Sequence, residues 1–274
     1  MSAPDDFYSL LQRAPDPARV VGWEHALGQA ARFEAAIAPV TLGDTVLDVG
    51  CGIGDLYGYL MRSRSRVTYM GIDQLAPMVE RARRRHPGGF FLQKNALDGS
   101  DLPNADVVVA IGALVDGRPL KDEDARLAKL MLLMSRALRA ARRCAVIVAL
   151  DQDVVDGRLM FRAEEALAGL READVALVAR KLGVDYEVHR VLTTDLAATL
   201  WRPEPEVRRI PVAGDYAARA LAGPMGKDVA PVDEAWLWYA AGERDKATAA
   251  LAKAEESMRT RWLRDAIAGM APRP

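Results

Sequence analysis

The segment from Val46 to Asp55 constrains the fold of this chain more than any other. It reads Val-Leu-Asp-Val-Gly-Cys-Gly-Ile-Gly-Asp, which is an apolar strand pattern running into a glycine-rich turn. A helical pattern follows at Leu56–Arg64, so a strand, a tight turn and a helix are predicted in direct succession. Glycines in such a turn let backbone N–H groups approach a ligand closely, and the helix N-terminus adds a partial positive charge. The segment therefore predicts a ligand-binding unit, although a tight turn that binds nothing shares the pattern.

Two details distinguish this turn from one that binds a dinucleotide. The glycines Gly50, Gly52 and Gly54 follow a Gly-x-Gly-x-Gly spacing. The dinucleotide pattern needs Gly or Ala at the position where this chain has Asp55. Asp48 also precedes the first glycine by two residues, and its carboxylate suits a cationic ammonium group but would repel a pyrophosphate. A dehydrogenase that uses a dinucleotide therefore remains only as a disfavoured alternative.

Polar residues follow the next two strand patterns. Asp73 ends the strand predicted at Val67–Ile72, roughly twenty residues after the turn, where a carboxylate can accept both ribose hydroxyls. A strand-end Asp is also a common helix N-cap. Asn95 follows the strand predicted at Phe90–Gln93, and its amide offers the donor and the acceptor that an adenine edge requires. A turn-forming role explains Asn95 nearly as well.

Strand and helix patterns continue to alternate after the third strand. Further strands are predicted at Asp106–Ala110, Cys144–Leu150, Asp185–Val191 and Ala197–Trp201, and helices at Pro77–Arg85, Asp122–Arg143 and 161–181. The last two strands are predicted to form a closing hairpin. Strands separated by helices predict a mostly parallel sheet with helices on both faces.

Composition excludes several classes of protein. The net charge of −1 gives no overall attraction to nucleic acid or to an anionic membrane. Cys51 and Cys144 are far apart and lack metal-ligand spacing, so we expect buried thiols, no metal site and a reducing compartment. No apolar run reaches the ~18 residues of a membrane span, and the N-terminus has no signal-peptide pattern. These features together favour a cytoplasmic protein.

The three motifs resemble those of the class I (Rossmann-like) S-adenosylmethionine-dependent methyltransferases. The resemblance implies S-adenosylmethionine as cofactor and a seven-stranded, doubly wound sheet that is parallel except for one strand of the C-terminal hairpin. It also implies cofactor contacts: a methionyl side at Asp48, Gly50, Gly52 and Gly54, the ribose at Asp73, the adenine at Gln74, Asn95 and Ala96, and the sulfonium at Ala110. Methyl transfer from a sulfonium needs no particular acid or base, so no catalytic residue is assigned.

A narrower resemblance concerns the first residues. Val21-Gly22-Trp23, with Gln29 and Arg32-Phe33, is similar to a bacterial subgroup of uncharacterised methyltransferases in which an N-terminal helix covers the cofactor. It implies that Trp23, Gln29 and Arg32 contact the cofactor, with the two polar side chains reaching its carboxylate. A solvated helix face explains the pattern equally well.

Three parts of the chain are predicted on this basis. They are an N-terminal helical lid at 1–40, a cofactor-binding methyltransferase domain at 41–203 and a C-terminal helical extension at 204–274. Prolines at 203, 205 and 211 mark the second boundary, and no strand pattern follows them. The aromatic cluster Trp236-Leu237-Trp238-Tyr239 predicts packing on the catalytic domain, at a homodimer interface or against a protein partner.

The sequence says less about the methyl acceptor than about the cofactor. Where this family's subgroup has a polar residue after the fourth strand, the chain has the apolar segment Ile111–Val115. Asp151 and Asp153, after the fifth strand, are candidates for a general base, although a turn role is favoured. The sequence thus predicts methyl transfer to a small-molecule or peptide acceptor and disfavours nucleic acid. The alternative is a catalytically silent, cofactor-binding partner protein with the same fold.

Overall fold

The computed structural model describes residues 25–63, 66–114, 123–157, 169–203 and 215–270. Within these ranges seven strands form one sheet, and ten helices accompany it. The strands are β1 Thr45–Val49, β2 Thr68–Asp73, β3 Phe90–Gln93, β4 Ala105–Ile111, β5 Ala141–Leu150, β6 Asp185–Leu192 and β7 Asp195–Trp201. The helices are α1 Ala26–Ala36, α2 Asp55–Ser63, α3 Ala76–Arg85, α4 Glu123–Ala140, α5 Gln152–Gly157, α6 Glu172–Leu182, α7 Tyr216–Ala222, α8 Pro231–Ala240, α9 Arg244–Leu251 and α10 Met258–Ala268.

The strand order confirms the predicted sheet. It is β3-β2-β1-β4-β5-β7-β6, and among these strands β7 alone runs in the direction opposite to the other six. The order reverses between β1 and β4, and ligands of open α/β sheets bind at such a switch point, outside the carboxyl ends of the strands. We call this side the carboxyl edge; it contains the ends of β1 to β5 and the β6–β7 turn.

Two apolar layers cover the sheet. One layer contains side chains of α1, α2, α3 and the C-terminal helices, and the other contains side chains of α4 and α6. Residues 144–149 of β5 are all buried, as their continuous apolar pattern predicts for a central strand. The buried strands hold the loops of the carboxyl edge on a rigid base.

One predicted boundary is wrong. The helix predicted at Asp122–Arg143 ends as α4 at Ala140, and Ala141 begins β5 directly. Ala141 pairs with Ala105 in β4, and Arg143 bonds to Asp44 on the loop before β1. Alanine and arginine favour helix locally, but pairing with a buried strand overrides that preference. The helix predicted at 161–181 is also wrong at its described residues 169–171, where Leu170 pairs with Asp151 and α6 begins only at Glu172; the part before residue 169 lies outside the described residues. The other predicted strands and helices agree to within a few residues where they are described.

Helix α1 lies inside the molecule. Every residue from Leu27 to Ala36 is buried, because the sheet covers one side of the helix and α7 and α8 cover another. The described residues from 215 onwards form only helices and loops, and their apolar side chains share one core with α1 and the sheet. No described helix has both the length and the apolar character needed to cross a membrane. The division of the chain into three parts stays a prediction.

Candidate functional site

The glycine-rich loop follows β1 at the switch point. Its three glycines all have left-handed backbone, with φ of +78° at Gly50, +53° at Gly52 and +80° at Gly54. The Gly50 and Cys51 N–H groups both donate to the Ile72 carbonyl at the end of β2. A Cβ on Gly54 would lie 2.8 Å from Cζ of Phe91. The turn therefore requires glycine both for its backbone conformation and for its packing.

Asp73 connects this loop to the end of β2. One carboxylate oxygen accepts from the Gly52 N–H at 3.0 Å, and the other accepts from the Leu75 N–H at 2.9 Å. Desolvation raises the pKa of Asp73, and the hydrogen bonds from Leu75 and Gly52 oppose that rise. Each carboxylate oxygen has a second lone pair, so the half-buried group can still accept hydrogen bonds from a ligand.

Asp48 is buried behind the same loop. The Tyr69 hydroxyl donates to its carboxylate at 2.7 Å. Burial raises the pKa of Asp48 to about 7; the Tyr69 hydrogen bond lowers it, while the nearby charges of Asp73 and Asp55 add to the rise. Three carboxylates thus surround the glycine-rich loop, and of these Asp55 is bonded to Arg85. Tyr69 is a partner that sequence reasoning missed, because an aromatic residue in a strand carries no sign of a hydrogen bond.

The residues predicted at the adenine lie at the end of β3. The Asn95 side-chain oxygen accepts from the Leu97 N–H at 2.8 Å, so the turn-forming role is present. Its amide nitrogen is the group left to face a ligand. The Gln74 carbonyl accepts from the Gln93 side chain at 3.3 Å, and Gln93 lies beside Asp73 in the sheet. These residues and the half-buried Ala96 share the carboxyl edge with the glycine-rich loop.

Ala110 lies in β4, across the switch point from Val49, and is buried. The apolar segment continues beyond it: Gly112 has a φ of +71° and donates its N–H to the Val148 carbonyl, and Leu114 is buried. Lys129 donates to the Leu114 carbonyl at 2.6 Å. Val115 lies outside the described residues.

The polar residues of α1 reach two different places. The Gln29 amide donates to Asp55, the first residue of α2, at 3.2 Å. Arg32 instead binds Asp195 through two hydrogen bonds of 2.7 Å, and both side chains are buried. Asp195 pairs with Leu150 at the carboxyl end of β5, so the ion pair lies on the far side of the edge. Trp23 lies outside the described residues. Cofactor contacts of Gln29 and Arg32 stay predictions.

Asp195 is a residue that sequence reasoning missed, although a signal was present. It begins a seven-residue strand in which every residue is buried. A buried carboxylate requires a cationic or hydrogen-bonding partner. An acid that begins such an apolar strand is therefore a sign of a distant cation.

The two acids after β5 have structural partners. One oxygen of Asp151 accepts from the Asp153 N–H at 3.0 Å, and the other accepts from Arg190 at 2.7 Å. Asp153 is exposed and bonds to Arg171 at 2.8 Å. Both contacts agree with the turn role that the sequence favoured over a general base.

Comparison with known proteins matches the part of the chain that contains the glycine-rich loop. Residues 46–145 match a family model described as "Methyltransferase domain". This segment contains all the predicted cofactor residues except Trp23, Gln29 and Arg32. A trans-aconitate 2-methyltransferase from Rhodopseudomonas palustris (strain BisB5) is 32% identical over 80 residues, which are 29% of this chain. The match spans only 31% of that relative's length.

Solved structures share the fold at low identity. The N-methyltransferase NodS from Bradyrhizobium japonicum WM9, in complex with S-adenosyl-L-homocysteine, superposes with a TM-score of 0.55 at 12% identity. The superposition covers 74% of this chain and 100% of NodS. The plantazolicin methyltransferase BpumL, in complex with the same molecule, superposes with a TM-score of 0.53 at 13% identity over 74% of this chain and 95% of its own. Similarity at this level concerns the fold alone.

Proposed function

We propose that this chain, which belongs to the class I S-adenosylmethionine-dependent methyltransferases, methylates a small-molecule or peptide acceptor. The observation that carries the proposal is Asp73, a half-buried carboxylate held by two backbone N–H groups beside a loop of left-handed glycines, with the partly ionised Asp48 buried behind that loop. S-adenosylmethionine carries a sulfonium and an ammonium, so a negative potential favours it. The same potential repels the pyrophosphate of a dinucleotide.

The residues present fit this cofactor. The left-handed backbone at the three glycines gives the tight turn from β1 into α2 that brings the loop to the switch point, next to Asp73. Asp73 holds the ends of β1 and β2 together and keeps a lone pair on each oxygen for the ribose hydroxyls. The Asn95 side-chain oxygen accepts from Leu97, so the amide N–H groups are the part of this side chain that we assign to the adenine edge.

The cofactor supplies an electrophilic methyl group when it is bound. The contribution of the chain is to bind, orient and exclude water. Ala110 and Leu114 are buried and apolar at the switch point, so they place no nucleophile of their own beside the sulfonium. No described side chain is assigned as a general base, because Asp151 and Asp153 are engaged in ion pairs.

The acceptor class rests on charge and on the relatives. The net charge of −1 offers no general attraction for nucleic acid. One relative is named for trans-aconitate and one structural neighbour for plantazolicin. Both names support an acceptor that is a small molecule or a modified peptide.

A catalytically silent cofactor-binding protein is the second candidate. The observation that favours it is the segment Ile111–Leu114, which has no polar side chain to orient an acceptor. In that case the chain would bind the cofactor and act through its helical surface.

Two measurements test the proposal. Calorimetry should show binding of S-adenosylhomocysteine and no binding of NAD. Binding of NAD without binding of S-adenosylhomocysteine would contradict the assigned cofactor. Incubation of the chain and cell extract with cofactor labelled on the methyl group should then move the label into a small-molecule or peptide fraction. Gly52→Val serves as the binding-deficient control. Cofactor binding without any label transfer would favour the silent protein, and label in nucleic acid would contradict the acceptor class.

A further inference from the structure

Helix α8 contacts the first turn of α1 through an aromatic stack. The Trp236 ring lies on the His25 ring with 4.6 Å between centroids and 20° between planes. A Cβ on Gly28 would lie 3.1 Å from Cη2 of Trp236, so the indole packs directly on the α1 backbone. Glycine costs roughly 1 kcal/mol in a helix interior relative to alanine. Its presence in α1 is explained by this close approach.

Polar contacts hold the same junction. His25 caps α1, since one ring nitrogen accepts from the Leu27 N–H. The other ring nitrogen bonds to Asp233 of α8 at 3.0 Å. Asp233 also binds Arg259 of α10 at 2.6 Å. The capping residue of α1 is therefore attached to two of the C-terminal helices.

The opposite end of α8 reaches the carboxyl edge. The Ala240 carbonyl accepts from the Thr193 N–H at 2.7 Å, in the turn between β6 and β7. Asp195, two residues later, holds Arg32 of α1. Helix α8 thus contacts the start of α1 directly. It also contacts the β6–β7 turn, next to Asp195, the ion-pair partner of Arg32 in α1.

We propose that Trp236 and Asp233 are positioning residues for the cofactor site, acting through α1. One residue after Gly28, Gln29 bonds to Asp55 at 3.2 Å, and Asp55 begins α2 directly after the glycine-rich loop. A shift of α1 would break this bond and remove one of the side-chain contacts that hold Asp55, which would then keep its bond to Arg85. The inference rests on the proposed cofactor function and assigns the C-terminal helices a part in it. It adds a role in cofactor binding to the predicted packing of the aromatic cluster.

Trp236→Ala tests the proposal. Removal of the indole should weaken S-adenosylhomocysteine binding about five- to tenfold, the effect of losing one positioning hydrogen bond. Trp236→Phe keeps an aromatic stack and should restore most of the affinity. Trp262→Ala is the matched control, because Trp262 is 57% exposed and its ring contacts Tyr239 near the end of α8 that is opposite Asp233. The control should bind like wild type.

Gly28→Ala separates positioning from stability. Alanine raises the helix propensity of α1, but its methyl group lies within 3.2 Å of Trp236 and of Arg32. Weaker cofactor binding with an unchanged or higher melting temperature is expected, and a merely structural role for the contact would not produce it. Retained affinity in both Gly28→Ala and Trp236→Ala would overturn the proposal.

A double-mutant cycle identifies the route. If α8 acts through Gln29, the losses from Trp236→Ala and Gln29→Ala should be less than additive. Fully additive losses would overturn the route through α1. Absence of binding by the wild-type chain would instead contradict the proposed function, so the two failures are distinguishable.

Discussion

The two halves of the carboxyl edge hold their carboxylates in different ways. On the side of β1 and β2, backbone N–H groups of Gly52 and Leu75 hold Asp73. On the side of β5 and β7, the side chain of Arg32 holds Asp195. Asp73 is half-buried, whereas Asp195 is completely buried.

We interpret the difference as one between Asp73, the proposed ligand-binding group, and Asp195, a structural one. Backbone amides orient Asp73 without neutralising its charge, so the carboxylate keeps both its charge and its spare lone pairs for a ligand. The guanidinium of Arg32 neutralises Asp195 and takes up both of its oxygens. We therefore expect changes on the first side to affect cofactor binding, and changes on the second to affect stability.

The largest effect on stability is expected at the buried ion pair. Arg32→Met leaves the Asp195 charge buried without its cation and should lower the free energy of unfolding by about 3–5 kcal/mol. The double variant Arg32→Met/Asp195→Leu should recover most of the loss. Urea denaturation measures both. Arg142→Met, which breaks the largely exposed pair with Asp106, is the control and should cost less than about 1 kcal/mol. If Arg32→Met were as stable as wild type but bound no cofactor, Arg32 would belong to the binding site and the proposed division of roles would be wrong.

The largest effect on cofactor binding is expected at the glycine-rich loop. Gly52→Val places a β-branched side chain at a φ of +53° and in the space where the backbone approaches the ligand. S-adenosylhomocysteine affinity should fall by at least about 100-fold in calorimetry. Gly183→Val is the matched control, since its φ is +65° and its Cβ would meet nothing within 4 Å. The control should lose stability and keep its affinity for S-adenosylhomocysteine. A loss of affinity in both variants would contradict the assignment of the glycine-rich loop to the cofactor site.

Asp73 should have an intermediate effect. A hydrogen bond to a charged acceptor contributes roughly 1.5–3 kcal/mol, so Asp73→Ala should weaken cofactor binding by at least about tenfold. Asp73→Asn should lose less, because its amide oxygen still accepts. Its amide nitrogen, however, must face one of the two backbone donors that now bond to the carboxylate. Calorimetry on both variants decides the order, and equal affinity of Asp73→Ala and wild type would exclude a ribose contact.

The smallest effect at neutral pH is expected at Asp48. With a folded-state pKa of about 7, the carboxyl is half-ionised there, so Asp48→Asn should weaken S-adenosylmethionine binding only a few-fold. Wild-type affinity should increase as the pH rises through 7 and the charge develops, whereas the variant should not show this increase. Parallel pH profiles of the two proteins would rule out an interaction between Asp48 and the cationic cofactor.

The raised pKa of Asp48 also predicts a pH dependence of stability, which is opposite in direction to that of cofactor affinity. Burial raises the folded-state pKa of Asp48 above its ordinary value of 3.8, so the folded chain binds this proton more tightly than the unfolded chain. Its contribution to stability is therefore present below about pH 4 and is lost as the pH rises to about 7. Asp48→Asn should be more stable than wild type at pH 8 in the absence of cofactor. Urea denaturation at pH 5 and pH 8 measures the difference.

The sequence alone determined the cofactor half of this protein. Strand β1 and the start of α2 were predicted to within one residue, and Asp48, the three glycines and Asp73 were predicted together. These features are readable because hydrophobic periodicity and the need for glycine at left-handed positions are local properties of the chain. The carboxyl ends of parallel strands then meet at one edge, whatever the remaining contacts are.

Only the tertiary structure decided how α1 and the β5–β7 side of the sheet are held in place. The bond from Arg32 to Asp195 spans 163 residues and that from His25 to Asp233 spans 208, so no local pattern identifies which two residues pair, even where it indicates that Asp195 needs a cation. The start of β5 at Ala141 depends on pairing with β4, which overrides a helical preference. Side-chain pairs of this kind depend on the sheet and α8 holding α1 in place, and once Arg32 and Asp195 are buried, leaving either charge unpaired would be costly.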